Sequence, residues 1–354
     1  MNKSLTYLIA AICLCACSFE GGQQGALTSS TGTKTTGKTT GKTAIKPAAS
    51  AAREKNARAF PMISVPAVYG NDTAEARNYV LGHYWDAFIN GDGVTDAEMI
   101  LGVKDKEVEQ GLANYILLLS TLKQKATPDE PGPLHEAQKS ILHFFKQIEA
   151  KQLADTTSLL YVKMSEMVSH YLYDPISPVR DEDLYLPFAK ALADSPCTGE
   201  DMRTAYRYEA KMCATNTFGS KAPDFRFSDI KGRKGSLYEV KAEYTMLFFS
   251  NPGCESCKAI VREIRSHGRI DSLIAEGRLA VVNIYIDEAV QEWREYHRNY
   301  PDTWINGYDY TFSLRESGKY DIRAIPSLYL LDSSKRVLMK DAVTENVLSF
   351  LDTI

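Results

Sequence analysis

Apolar positions recur through residues 72–215 with a period near 3.6, the signature of amphipathic helices. One stripe runs Ala76, Tyr79, Val80, His83, Tyr84, Ala87, Phe88, and a second Val108, Leu112, Tyr115, Ile116, Leu119. A third runs Leu134, Ile141, Phe144, Phe145, Ile148, and a fourth Leu160, Met164, Met167, Val168, Tyr171. Prolines at 128, 131, 133, 175, 178 and 196 punctuate them. Asp155 reads as an N-cap for the fourth stripe, and Asp181, Glu182 and Asp183 as an acidic helix start. The pattern predicts about six helices and no strong strand, an all-α helical domain over 59–215.

After residue 216 the texture changes to short apolar runs of buried-strand length. These are 225–230, 244–250 (YTMLFFS), 279–286 (LAVVNIYI), 327–332 (SLYLLD) and 336–341 (RVLMKD). Helices are expected from Cys257 through Ile264, over 290–299 and over 344–352. Asn251-Pro252-Gly253 breaks the 244–250 run just before Cys254-Glu255-Ser256-Cys257.

Residues 1–58 show neither period. Lys3 followed by a short apolar stretch from Leu5 to Leu14 reads as an export signal, too short to stop in a membrane. Residues 18–58 are Gly, Thr, Ser, Lys and Ala, with Thr-Thr-Gly-Lys at 35–38 and again at 39–42. Such a segment buries too little apolar surface to fold. As a Gly-rich coil it spans about 35 Å, a tether for a soluble body. Leu14-Cys15-Ala16-Cys17 resembles the lipobox of bacterial lipoproteins. That resemblance implies cleavage after residue 16 and a lipid on Cys17. The expected organisation is a signal at 1–16, an anchor and linker at 17–58, the helical domain at 59–215 and a second domain at 216–354. The location it implies is the cell envelope, facing the periplasm or the cell surface.

Charge narrows the partners. Of the 41 Lys/Arg and 45 Asp/Glu, residues 1–58 hold 8 and 2, so the remainder carries a net charge of −10. So acidic a body argues against nucleic acid as a partner. His83, His135, His143 and His170 lack metal-type spacing, so no metal is expected. Cys197 and Cys213 invite a disulfide in an exported chain. A single helix over 200–216 would put Cys213 about 20 Å from its start. The three residues back to Cys197 recover at most about 10 Å, against the 7 Å a disulfide allows, so the two are expected to stay unpaired.

The Cys254-x-x-Cys257 pair carries the chemistry. The first cysteine of a helix meets free N–H groups and the dipole, which stabilise thiolate. The second, one turn inward, closes a small disulfide. Zinc would need a second ligand pair, and haem attachment would need His where Lys258 stands. A structural disulfide remains an alternative. No flavin or nicotinamide fingerprint is present, so any redox function rests on the two cysteines and an external thiol as electron donor.

The order β-CxxC-α-β-α-(Ile-Pro)-β-β-α is that of thioredoxin. The opening Gly219-x-x-Ala222-Pro223-Asp224-Phe225 resembles the TlpA-like subgroup of extracytoplasmic thioredoxin-fold lipoproteins, and also the peroxiredoxins. The resemblance covers about 216–354. The helical part resembles an uncharacterised domain that precedes thioredoxin domains in some Gram-negative lipoproteins, which implies no activity. The family resemblance implies an α/β thioredoxin-like fold and thiol–disulfide exchange with protein disulfide or thiol substrates. Cys254 would be the attacking thiolate and Cys257 the resolving thiol. Ile325-Pro326, with a cis bond, would be the shelf for an extended substrate peptide.

The chain also departs from thioredoxin. Gly253 replaces the usual tryptophan, Phe248 stands where a buried aspartate relays protons, and Ile260 where some relatives carry a glutamate. Glu255 and Ser256, between the cysteines, are candidate modulators. A charge on Glu255 would raise the Cys254 pKa and make the couple more reducing, unless it is simply a surface residue. Trp304 and Tyr308 either line a substrate groove or anchor a loop. The implied activity is reduction or reshuffling of disulfides. The alternatives are a non-enzymatic adaptor whose helical domain binds a partner, and a peroxidase. Against the peroxidase, Asn251 stands where peroxiredoxins place threonine.

Overall fold

The computed structural model describes residues 57–354. The expected signal at 1–16, the lipidated Cys17 and nearly all of the linker lie outside the described residues. The chain divides into two compact units after Asn114. That boundary falls a hundred residues before the change of sequence texture at 215/216.

In the first unit Asp72 caps α1 (Thr73–His83), accepting from the amides of Ala74 and Glu75. α2 (Asp86–Ile89) follows, then a two-stranded hairpin of β1 (Met99–Ile100) and β2 (Val103–Lys104). This hairpin is a β element among the expected helices. α3 (Asp105–Lys123) begins here and crosses the boundary. Phe60 packs among the rings of Tyr84, Trp85 and Phe88.

The second unit continues with α4 (Gly132–Ala154), α5 (Leu160–Leu172), α6 (Glu182–Asp194) and α7 (Glu200–Cys213). Seven α-helices therefore precede residue 216 among the described residues, where periodicity predicts about six. The predicted stripes supply the helical core: Ile141, Phe144, Phe145, Met164 and Val168 are all buried. Two local expectations change. Asp155 does not cap α5. It follows α4 and accepts from the amide and hydroxyl of Thr157, an Asx turn that outcompetes the cap. α7 ends at Cys213 rather than 216, because Asn216 takes a left-handed conformation with φ of 54°. Asp181 does cap α6, accepting from the Leu184 amide.

Seven strands then form one sheet, in the order β4-β3-β7-β6-β5-β8-β9. Their ranges are β3 (Arg226–Asp229), β4 (Lys234–Ser236), β5 (Tyr244–Phe249), β6 (Leu279–Tyr285), β7 (Ile305–Tyr308), β8 (Ser327–Leu331) and β9 (Val337–Met339). β5, β6 and β7 are parallel neighbours, and β8 runs antiparallel to β5. α8 (Glu255–Ser266) and α9 (Ile270–Ala275) carry the chain from β5 to β6. α10 (Val290–Tyr296), a 3-10 turn and then β7 follow, before α11 (Ser313–Glu316) and, at the end, α12 (Thr344–Leu351). Strand alternation divides the core between the two faces. Met246 and Phe248 of β5 join Val261, Ile264, Leu328 and Leu351 on one face. Leu247 and Phe249 join Phe225, Ile284, Tyr320 and Tyr329 on the other.

Ion pairs join the helices of 115–215 to this sheet. Glu182, nearly fully buried, pairs with both Lys340 and Arg323. Arg180 donates to the Asp341 carbonyl and carboxylate. Lys340 also donates to the carbonyls of Met212 and Thr215.

Candidate functional site

β5 delivers the chain to Ser250, and the turn Asn251-Pro252-Gly253 reverses it into α8. Gly253 has φ of +74°, and a Cβ there would meet no atom within 4 Å. The requirement for glycine is conformational, and it explains why no tryptophan stands here. Cys254 is the N-cap of α8, and its Sγ accepts the Cys257 amide at 3.1 Å. The two cysteines are joined as a disulfide with Cα atoms 5.2 Å apart.

Their surroundings differ. Cys254 is half-buried at the helix start, whereas Cys257 is 2% exposed among Phe248, Val261 and Leu328. In the reduced state Cys254 would keep an N–H donor and the positive end of α8, which favour thiolate. The apolar cluster would favour the neutral thiol at Cys257. This asymmetry suits an outer nucleophile and an inner resolving thiol.

Glu255 is exposed, and Lys258 binds it at 2.6 Å. That partner holds the Glu255 carboxyl below its ordinary range and offsets its field at Cys254. Ser256 is exposed beside it.

The bond Ile325-Pro326 is cis. Phe249 pairs with Ser327, so Pro326 lies next to the strand end that leads into the dithiol turn. Ile325 and Cys254 both pack on the cluster that contains Cys257. The dithiol and the cis-proline are thus brought to one end of the sheet.

Trp304 lies in the bend just before β7, whereas Tyr308 belongs to the strand. Tyr308 ends β7, with its ring 5.1 Å from that of Trp293. Trp304 is 5% exposed within the core cluster of Cys257. Both act as packing anchors.

A polar network beside the site escaped sequence reasoning. Buried Ser250 donates to Asn283 at 2.6 Å and lies 3.0 Å from the Tyr300 hydroxyl. Asn283 in turn donates to Asn306 at 3.0 Å. Burial pushes the Tyr300 phenol up, so it stays a neutral hydroxyl. The available signal was an asparagine inside the apolar run LAVVNIY, since a buried amide needs partners. Asn251 donates to Asp287 at 2.5 Å, tying the dithiol turn to the end of β6. Among the described residues no cluster of three or more His, Cys, Asp or Glu is arranged to hold a metal ion. Nor is any described helix long and apolar enough to cross a membrane.

A family profile described as "Domain of unknown function (DUF5106)" matches residues 17–216. Among curated proteins, the chain is similar to the Thioredoxin-like protein YneN of Bacillus subtilis (strain 168), 29% identical over 119 residues. That match covers 32% of this chain and 65% of the relative, so the chain spans just under two thirds of the relative's length. Among solved structures, it is similar to a thioredoxin-like protein from Bacteroides caccae ATCC 43185. The identity is 31% and the TM-score 0.68, covering 84% of this chain and 99% of that one.

Proposed function

The chain belongs to the DUF5106 family and to the thioredoxin-like proteins, and on that premise we propose that it is a thiol–disulfide oxidoreductase acting through Cys254 and Cys257. The observation that carries the reading is the unequal placement of the two sulfurs, one capping a helix and one buried a turn inward. The Cys254 thiolate attacks one sulfur of a substrate disulfide, forming a mixed disulfide and releasing a substrate thiolate. Cys257, losing its proton, then attacks Cys254 Sγ. The Cys254–Cys257 disulfide forms, and the second substrate thiolate leaves and is protonated. Two electrons pass to the substrate, and an external thiol or dithiol returns them to the protein. An extended substrate strand lies against Ile325-Pro326 during the attack.

Reduction or reshuffling is the favoured direction because Ile325 precedes the proline, as in thioredoxin. Glu255 contributes little to that bias, being neutralised by Lys258. The same proposal holds the chain in the cell envelope through lipid on Cys17, supported by the apolar stretch Leu5 to Leu14, Ala16 and the Gly-, Thr-, Ser- and Lys-rich composition of 18–58.

Cys257→Ser leaves the mixed disulfide unresolved. Incubated with a disulfide-bonded polypeptide, the reduced variant should accumulate a covalent adduct that dithiothreitol releases, and Cys254→Ser should form none. Absence of any adduct from Cys257→Ser would remove the basis of the reading.

A further inference from the structure

The segment that enters the cis-proline shelf has little backbone support of its own. Among the described residues, 321–326 form no helix or strand and take part in no backbone–backbone hydrogen bond. Ladder pairing begins only at Ser327. Ile322 and Ile325 pack on the sheet core, and polar anchorage falls largely to Arg323.

Arg323 turns its guanidinium to the helical layer. Nη1 donates to the Tyr173 carbonyl at 2.7 Å, just past the end of α5. Nη2 donates to Glu182 in the first turn of α6 at 2.5 Å. The group lies 4.1 Å over the Tyr173 ring, and Asp321 and Asp341 stand 3.6 and 3.8 Å from its nitrogens. Glu182 is fixed from its other side by Lys340. A buried ion pair is a weak source of stability compared with apolar packing. A planar fork held on two sides does specify direction.

We propose that Arg323 is a positioning residue, through which the helical layer fixes the backbone entering Ile325-Pro326 and so sets how a peptide disulfide is presented to Cys254. The inference rests on the dithiol reading above for its consequence, but not for its geometry. A small disulfide reaches Cys254 without the shelf, whereas an extended peptide needs it.

The test uses the full chain and Arg323→Met, with Arg323→Lys as a milder variant that keeps the charge and loses the fork. Stopped-flow rates are measured for the reduced proteins against 5,5′-dithiobis(2-nitrobenzoate) and against a disulfide-bonded extended peptide. Amide hydrogen exchange is followed over 321–327. Arg323→Met should slow the peptide reaction about fivefold or more and leave the small-disulfide reaction within about twofold. Exchange at Ser327, where ladder pairing begins, should quicken while β5 stays protected. Arg323→Lys should shift the same readouts in the same direction by less, and it decides the matter if Arg323→Met does not fold. Unchanged peptide rates, or equal loss against both disulfides, would overturn the proposal. If the native protein reacts with neither disulfide, the redox reading fails. The positioning claim then stands or falls on whether exchange at Ser327 quickens in the variant.

Discussion

Four cysteines in the described residues divide into two kinds by environment alone. Cys254 caps a helix and keeps access to solvent, while Cys257 is sealed in an apolar cluster. Cys213 is fully buried at the end of α7, and burial pushes its thiol far up. Burial also raises Cys197, only partly opposed by its bond to Ser195. α7 is one continuous helix, so thirteen rises of about 1.5 Å separate the start from Cys213. A thiol pKa raised in the fold adds stability below the ordinary value of about 8.5. That contribution is lost as pH climbs through the raised value. Iodoacetamide at pH 8 should therefore label Cys254 first in the reduced native protein and leave Cys213 unlabelled until urea unfolds it. In the oxidised protein, denaturing alkylation without reductant should find Cys197 and Cys213 free, read by peptide mass. Equal labelling of Cys254 and Cys257 would contradict the roles assigned to them.

At the scale of elements, the strands that read clearly in the sequence are those with the longest mainly apolar runs, β5, β6 and β8. β7 did not, because Asn306-Gly307 looks like a turn. The glycine is there for packing. A Cβ at Gly307 would come within 2.8 Å of the Phe227 ring and 3.2 Å of the Ser228 carbonyl. β7 pairs with β3 through this position, Gly307 opposite Asp229. Gly307→Ala should cost about 1–3 kcal/mol, seen as a lower urea midpoint with unchanged slope. An unchanged midpoint would show that Phe227 yields freely. The dithiol at the start of α8 and the Ile-Pro before β8 were legible because their chemistry requires fixed residue types at strand ends. The Ser250–Asn283–Tyr300 network was not, since its members are scattered and only their burial joins them.

For the molecule as a whole, sequence texture suggests a helical domain ending at 215, whereas compactness divides the chain after Asn114. The reason is physical. The helices of 115–215 hold the sheet through Glu182, Arg180, Arg323, Lys340 and Asp341, residues that a hydrophobic pattern reads as solvated surface. A buried charge announces itself only through its partners, and these are drawn from segments more than a hundred residues apart. The layer shared by helices and sheet therefore includes the segment that carries Pro326. The part proposed for it in disulfide exchange depends on Cys254 being a working nucleophile. The direct measurement follows the reduced full chain with oxidised insulin under anaerobic conditions. It counts substrate thiols by alkylation and the Cys254–Cys257 disulfide by mass. Two substrate thiols should appear for each Cys254–Cys257 disulfide formed, and Cys254→Ser should release none. Insulin left intact by the native protein, or thiol release that persists in Cys254→Ser, would contradict the account.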